Sequence, residues 1–259
     1  MREAVLSAAR FITTRAHEPI ALGDVADHVG YSPFHLARTF EREMGIPPGQ
    51  FLTAHRFQRA KQLLLHTDER IIDICNEVGF SAVGTFTTRF TAAVGTTPVE
   101  FRRLPDVLTA SPPRPVSVPD GDHDGGAVTG TVRLSPAALA ALGPNPAVYV
   151  GLFPRRAARG FPVSGTLLAE PGCFLLTGVP PGTYWVLSSA VPTRDGPQAQ
   201  LIPGRSVLGA CPRAVRVTPE TPVHHRDVDL DVGAEWSQPV LIALPALTSA
   251  GAQERRRQR

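Results

Sequence analysis

The chain has 259 residues, of which 42% are hydrophobic and 19% charged, and its formal net charge is +3. This composition is typical of a globular protein with one large domain or two ordinary ones, and it excludes a collagen-like chain. No apolar run reaches the roughly 18–20 residues of a membrane span, and three scattered cysteines exclude a disulfide-rich mini-protein. We therefore expect a cytoplasmic protein with no membrane partner.

Proline and glycine separate a helix-rich first part from a turn-rich second part. Residues 1–105 contain six Pro and seven Gly, whereas residues 106–259 contain 20 Pro and 16 Gly. The predicted organisation is a helical domain at 1–105, a Pro/Gly-rich linker at 106–125, a β domain at 126–245 and an Arg-rich tail at 246–259. The predicted fold class is an all-α domain followed by an all-β domain.

The first part has the apolar period of helices. Apolar residues recur at helical spacing in 5–16 and again in 49–67. The second of these stretches predicts a long helix at about 50–66. Such helices occur in any bundle and do not by themselves indicate a function.

An internal repeat in the first part is more informative. Gly-Tyr-Ser at 30–32 recurs as Gly-Phe-Ser at 79–81, 49 residues further on. Five positions recur 50 residues further on: Leu36 and Phe86, Phe40 and Phe90, Gly45 and Gly95, Pro48 and Pro98, Phe51 and Phe101. Each copy predicts a short helix, a turn at glycine and a second helix that ends at the next glycine.

Each copy is a predicted helix-turn-helix unit. Gly30 and Gly79 can adopt the positive φ that ends the first helix, and Ser32 and Ser81 are predicted to cap the second helix. The inward apolar positions of each second helix lie four residues apart, which leaves the opposite face free to enter a DNA major groove. The alternative is an ordinary helical hairpin, duplicated within a bundle.

Several stretches of the first part carry a resemblance to a known family; they are 25–26, 30–32, 35–40, 60–64, 71–81, 86–90 and 95–102. They resemble the DNA-binding domain of the AraC/XylS family of transcription regulators, over about residues 4–104. The resemblance implies two helix-turn-helix units joined by one long helix. It also implies double-stranded DNA as a partner, with RNA polymerase and a small-molecule effector as further candidates.

By position, the resemblance assigns base contacts to seven residues of the two second helices: Phe34, Ala37, Arg38, Val83, Gly84, Thr87 and Thr88. Phosphate contacts are expected from five residues: Ser32, Arg42, Arg56, Ser81 and Arg89. Arg38 is expected to read sequence because an exposed Arg can bind O6 and N7 of guanine in a bidentate manner. For Phe34, contact with a thymine methyl group and packing at the helix start both stay open.

The second part has the pattern of short strands. Strand-like stretches lie at 128–134, 148–153, 173–176, 184–187, 213–217 and 227–232, with a Pro/Gly turn at 179–183. Six or seven strands within about 120 residues favour a β-sandwich. Residues 172–184 resemble the carboxypeptidase regulatory-like, transthyretin-related domain, which implies a prealbumin-like sandwich without a catalytic site.

No sequence motif favours catalysis. The chain contains no nucleophile elbow, no His-Glu-x-x-His motif and no phosphate loop, so we expect neither an enzyme nor a bound metal or cofactor. The β domain is predicted to be a sensor, a dimerisation module or a spacer. The alternative function is a protein-binding adaptor, in which the helical domain docks a partner and the sandwich serves as an interaction module.

Overall fold

The computed structural model describes residues 2–110, 117–118, 125–158, 160–194, 196–202, 207–234, 236–237 and 239–243. The chain divides into a helical unit of residues 1–102 with 234–241, and a strand-rich unit of residues 103–233 with 242 onwards. The predicted Arg-rich tail and most of the predicted linker lie outside the described residues. None of the described helices is both long and apolar enough to cross a membrane.

Seven helices follow one another in residues 2–110. They are α1 (Arg2–Thr14), α2 (Leu22–Val29), α3 (Pro33–Met44), α4 (Pro48–His66), α5 (Ile71–Glu77), α6 (Val83–Val94) and α7 (Pro98–Ala110). Pairs α2–α3 and α5–α6 are the two predicted helix-turn-helix units, and α4 is the predicted joining helix. The predicted domain boundary at residue 105 falls inside α7.

The turn glycines have the backbone conformation that the sequence predicts. Gly30 has a φ of 69° and Gly79 a φ of 82°, both in the left-handed region that L side chains rarely adopt. The N–H of the next residue closes each turn, from Tyr31 to the Ala26 carbonyl and from Phe80 to the Cys75 carbonyl, both at 3.0 Å. The repeat in the sequence is therefore a repeat in the backbone.

The N-termini of α3 and α6 differ. The Ser32 Oγ atom accepts a hydrogen bond from the His35 N–H at 3.3 Å, as predicted. Helix α6 instead has Ala82 at its N-cap, with no side-chain hydrogen bond, so the prediction that Ser81 caps this helix is wrong. The second unit has one more residue between its glycine and its first inward residue, and this places an alanine where the first unit has Ser32.

The missing cap predicts a stabilising substitution. Ala82→Ser supplies an oxygen for the free N–H groups at the start of α6, and we expect the free energy of unfolding to rise by about 1 kcal/mol. Urea denaturation followed by the helical circular dichroism signal measures this change. Ala92→Ser is the matched control, because it adds the same hydroxyl at an exposed interior position of α6, where Ser is less favourable than Ala by roughly 0.5 kcal/mol. Equal effects of the two substitutions would contradict the assignment of Ala82 as the N-cap.

Helix α4 contributes to the core of both helix-turn-helix units. Its Phe51 ring lies 5.3 Å from Phe40 of α3, and its Phe57 ring lies 6.0 Å from Phe86 and 5.5 Å from Phe90 of α6. All five rings are fully buried. Because aromatic side chains bury large areas in specific geometries, α4 gives α3 and α6 a common support.

Beyond α7, the described residues of the strand-rich unit form ten strands and two short helices. These are β1 (Ser117–Val118), β2 (Gly126–Leu134), α8 (Pro136–Leu142), β3 (Ala147–Phe153), β4 (Ser164–Leu168), β5 (Cys173–Val179), β6 (Gly182–Val191), α9 (Gly196–Leu201), β7 (Val207–Ala210), β8 (Val215–Val217), β9 (Val223–His225) and β10 (Val228–Val232). A strand overlaps every predicted strand-like stretch. Strands β1, β4, β7 and β9 were not predicted, because they are short and lack a clear apolar alternation.

The strands pair into one sheet in the order β1-β4-β3-β6-β7-β10-β2-β5, with β8 on β6 and β9 on β2. Most pairs are antiparallel, but β2 pairs in parallel with both β10 and β9. The core includes Val128, Phe174, Val186 and Leu230. A single path of paired strands differs from the two separate sheets of a sandwich, so the predicted prealbumin-like sandwich is not confirmed.

Candidate nucleic-acid interface

Helix α3 has a buried face and an outward face. Leu36 and Phe40 are fully buried, whereas Phe34 is 71% exposed, although it is a large apolar side chain. Arg38 is also exposed, one turn after Phe34, with its guanidinium carbon 5.6 Å from the centre of the Phe34 ring. An exposed aromatic ring beside an exposed Arg gives the outward face both apolar and hydrogen-bonding capacity.

Helix α6 presents the equivalent face. Phe86 and Phe90 are fully buried, while Gly84 and Thr88 are exposed. These two residues lie 50 positions after Phe34 and Arg38, so exposure repeats at the same interval as the sequence. Ala37 and Thr87, another pair at this interval, are both half-buried, and Val83 is half-buried as well.

The same faces contain exposed residues outside the predicted set of base and phosphate contacts. His35 and Glu41 on α3, and Thr85 and Ala92 on α6, are exposed. Once the buried positions of a helix are known, the helical period alone identifies these exposed residues, because residues three and four apart share a face. Glu41 adds a hydrogen-bond acceptor, which can pair with the amino group of cytosine.

The charges near the two outward faces are local. Helix α3 carries Arg38 and Arg42, and the Arg42 Nε atom lies 3.4 Å from the Glu43 carboxylate. Helix α6 carries one basic side chain, the exposed Arg89. Residues 1–105 contain twelve basic and eleven acidic side chains. Attraction of a polyanion would therefore depend on these arginines and on the free N–H groups at the helix N-termini.

Arg56 does not point to the outward faces. Its Nε atom donates to the Ala16 carbonyl at 2.7 Å, Nη2 to the Glu18 carbonyl at 2.8 Å and Nη1 to the Gly79 carbonyl at 3.0 Å. A guanidinium whose three nitrogens all donate to the main chain is not available to a phosphate group. The predicted phosphate contact of Arg56 is therefore not retained.

Two other basic side chains of α4 are also directed into the helical unit. His55 packs on Phe51 at a ring distance of 4.6 Å, and burial lowers the pKa of His55 to about 4. Lys61 is 1% exposed, and burial lowers its pKa to about 7. Neither side chain adds charge to the outward faces. Within the described part of the chain, no three His, Cys, Asp or Glu side chains come together as metal ligands.

Comparison with known proteins shows what this part of the chain is similar to. Residues 25–104 match the family model described as a helix-turn-helix domain. An HTH-type transcriptional regulator of Bacillus subtilis, YfiF, is 39% identical over 87 residues, which are 34% of this chain and 27% of that protein. A Staphylococcus aureus HTH-type transcriptional regulator is 34% identical over 92 residues, which are 36% of this chain and 12% of that protein. The matches thus span about a quarter or less of these relatives.

Solved structures match over a comparable share of the chain. A transcriptional regulator of Chromobacterium violaceum, described as having an AraC-type DNA-binding domain, is 29% identical, with a TM-score of 0.39 over 43% of this chain and 96% of that one. The C-terminal domain of AraT, a response regulator from Geobacillus stearothermophilus, is 33% identical, with a TM-score of 0.37 over 39% of this chain and 84% of that one.

Proposed function

We propose that this protein, whose residues 25–104 form a helix-turn-helix domain, is a transcription regulator of the AraC type that binds double-stranded DNA. One observation carries the proposal: α3 and α6 each have an exposed face opposite their fully buried positions. The exposed positions of the two helices recur at an interval of 50 residues. On α3, the 71% exposed Phe34 beside Arg38 offers an apolar surface and a hydrogen-bond donor, which are the two kinds of contact that base edges accept. A major groove has the width to admit such a helix.

The two helices are proposed to enter successive major grooves on one side of the duplex, whose centres lie about 34 Å apart. Arg38 binds a guanine and Phe34 contacts a thymine methyl group. On α6, Gly84 and Thr88 offer only short reach, and Val83 and Thr87 are half-buried. The first unit therefore discriminates between bases more strongly than the second.

Phosphate contacts complete the proposed complex. Arg42 and Arg89 are exposed on the two reading helices, and the N-termini of these helices, with Ser32 and Ser81, offer N–H and hydroxyl donors. Each phosphate that a cation neutralises adds about 0.9 to the salt dependence of the binding constant. With so few local cations, we expect a moderate slope.

The strand-rich unit is proposed to regulate this binding, in response to a small-molecule effector or through RNA polymerase. Residues 106–259 contain 14 Arg and 12 acidic residues, and four of these Arg lie in 253–259. Without those four, the region is slightly acidic and is weakly repelled by phosphate. Regulation rather than base reading fits this charge. For a protein with the proposed DNA-binding function, we propose the cytoplasm as its location.

Selection of bound duplexes from a random library by the full-length protein tests the proposed function. We expect an enriched motif of two short blocks whose centres are one helical turn apart, about 10–10.5 base pairs. Titrations of the selected and a scrambled duplex over several salt concentrations then give the specificity ratio. Absence of enrichment would refute the proposal, as would binding that is insensitive to salt.

A matched pair of double variants separates DNA reading from general charge effects. Phe34→Glu with Thr88→Glu places one carboxylate on each outward face and is expected to abolish binding to the selected duplex. Leu175→Glu with Val223→Glu makes the same charge change at exposed positions of β5 and β9 and is expected to leave binding nearly unchanged. Equal losses in the two variants would show that α3 and α6 are not the reading elements.

A further inference from the structure

The guanidinium of Arg56 joins the segment that precedes the first helix-turn-helix unit to the turn of the second unit. Two of its acceptors, the Ala16 and Glu18 carbonyls, lie in the segment that leads into α2 of the first unit. The third, the Gly79 carbonyl, lies in the turn between α5 and α6 of the second unit. Arg56 itself is on α4, which joins the two units.

The turn at Gly79 is fitted to this guanidinium. A Cβ atom at Gly79 would lie 2.9 Å from the Arg56 Nη2 atom, whereas a Cβ at Gly30, the equivalent turn of the first unit, has nothing within 4 Å. Both glycines have a positive φ, so the difference between them is the close approach of Arg56. The adjacent Phe80 ring, with its centre 5.8 Å from the guanidinium carbon, forms a further side of the same site.

The chemistry of Arg suits a rigid connection. Its donors form a planar fork of fixed geometry, so three bonds from one guanidinium fix three carbonyls relative to one another. Hydrogen bonds from a charged donor are also stronger than those between neutral groups. Apolar packing on α4 places the two units near each other, and the directional bonds of Arg56 define their relative orientation.

We propose that Arg56 is a positioning residue that sets the spacing between the two DNA half-sites, an inference that rests on the proposed function. Arg56 touches no base and no phosphate. It acts through the carbonyls of Ala16, Glu18 and Gly79, and so holds α3 and α6 at one separation and rotation. Two reading helices held in this way accept one distance between half-sites, whereas loosely joined helices accept several.

The test measures binding of the full-length protein to the selected duplex and to duplexes with one or two base pairs inserted or deleted between the blocks. The wild-type protein is expected to prefer one spacing. Arg56→Met keeps most of the apolar stem but no donor, and is expected to lower affinity at that spacing by about tenfold, because fixed orientation is lost. It is expected to bind the altered spacings almost as well as the best one.

Arg59→Met is the matched control. Arg59 lies one turn further along α4, and its Nη2 atom pairs with the Glu77 carboxylate of the second unit at 3.0 Å. The substitution removes the same charge from the same helix without touching the first unit, so the spacing preference is expected to stay narrow. A broadened preference in Arg59→Met would overturn the specific role of Arg56.

A second pair of variants keeps Arg56 in place. Asn tolerates a positive φ better than other side chains, so Gly79→Asn crowds the guanidinium while Gly30→Asn meets open space. Only Gly79→Asn is expected to broaden the spacing preference. Because this pair of variants keeps Arg56, it tests the inference even where Arg56→Met fails to fold. A spacing preference equally narrow in wild type, Arg56→Met and Gly79→Asn would overturn this inference alone. Absence of specific DNA binding by the wild-type protein would instead refute the proposed function, and this inference with it.

Discussion

Replacement of Arg38 by Ala is expected to weaken binding to the selected duplex by about 1–3 kcal/mol, or roughly 5- to 150-fold. The guanidinium is exposed on the outward face of α3, beside the Phe34 ring. Loss of a bidentate contact to one guanine removes discrimination at one base pair only. Titrations over duplexes with every single-base change measure both effects.

Arg42→Ala is the control for this prediction. Arg42 lies one turn after Arg38 on the same helix, and it is expected to contact phosphate rather than a base. Its loss is expected to weaken all duplexes uniformly and to reduce the salt slope by about 1. If Arg38→Ala showed this uniform pattern instead, Arg38 would be a phosphate contact.

The parts of the helical unit that the sequence predicts correctly are those set by local physics. The left-handed turns at Gly30 and Gly79 follow from the freedom of glycine to adopt a positive φ. The end of α4 at His66 follows from the apolar period of the helix. The burial of Leu36 and Phe40 on one face of α3 follows from their spacing of four residues. The sequence repeat then predicts which positions of α6 are buried, because they lie 50 residues after the buried positions of α3.

The parts that the sequence does not predict depend on long-range contacts or on one-residue changes in register. The position of Arg56 along α4 does not distinguish it from a solvent-exposed Arg in the sequence. Only the folded chain brings the carbonyls of Ala16 and Gly79 to its guanidinium. A single added residue moves the cap position from Ser81 to Ala82. The order of strands, with β10 parallel to β2, is set by tertiary pairing that strand-like patterns do not encode.

Residues 234–241 are a further long-range feature, because they belong to the helical unit although they follow β10 of the strand-rich unit. The Arg10 guanidinium lies 4.2 Å from the centre of the Trp236 ring. The Lys61 ammonium donates to the Val240 carbonyl at 3.2 Å and lies 5.7 Å from the centre of the Phe101 ring. The single lysine of the chain thus reaches the carbonyl of a residue 179 positions away.

The burial of Lys61 gives the helical unit a stability that rises with pH. Burial lowers its pKa to about 7, whereas an unfolded Lys titrates near 10.4. Between these values the unfolded chain binds more protons than the folded one, so the free energy of unfolding increases with pH. From about pH 7 to pH 9 we expect a gain on the order of 2 kcal/mol, which is reversed as the pH falls back through 7.

Lys61→Met is expected to remove this rise, because it keeps the length of the side chain without the titrating group. Urea denaturation at each pH, followed by Trp236 fluorescence in a Trp185→Phe background, measures the stability of the helical unit, since the chain has two Trp residues. Arg59→Met is the control, because it removes an exposed cation of α4 that stays charged over this range. Its pH dependence is expected to equal that of the wild type. An undiminished rise in Lys61→Met would show that another group causes it and would contradict the lowered pKa of Lys61.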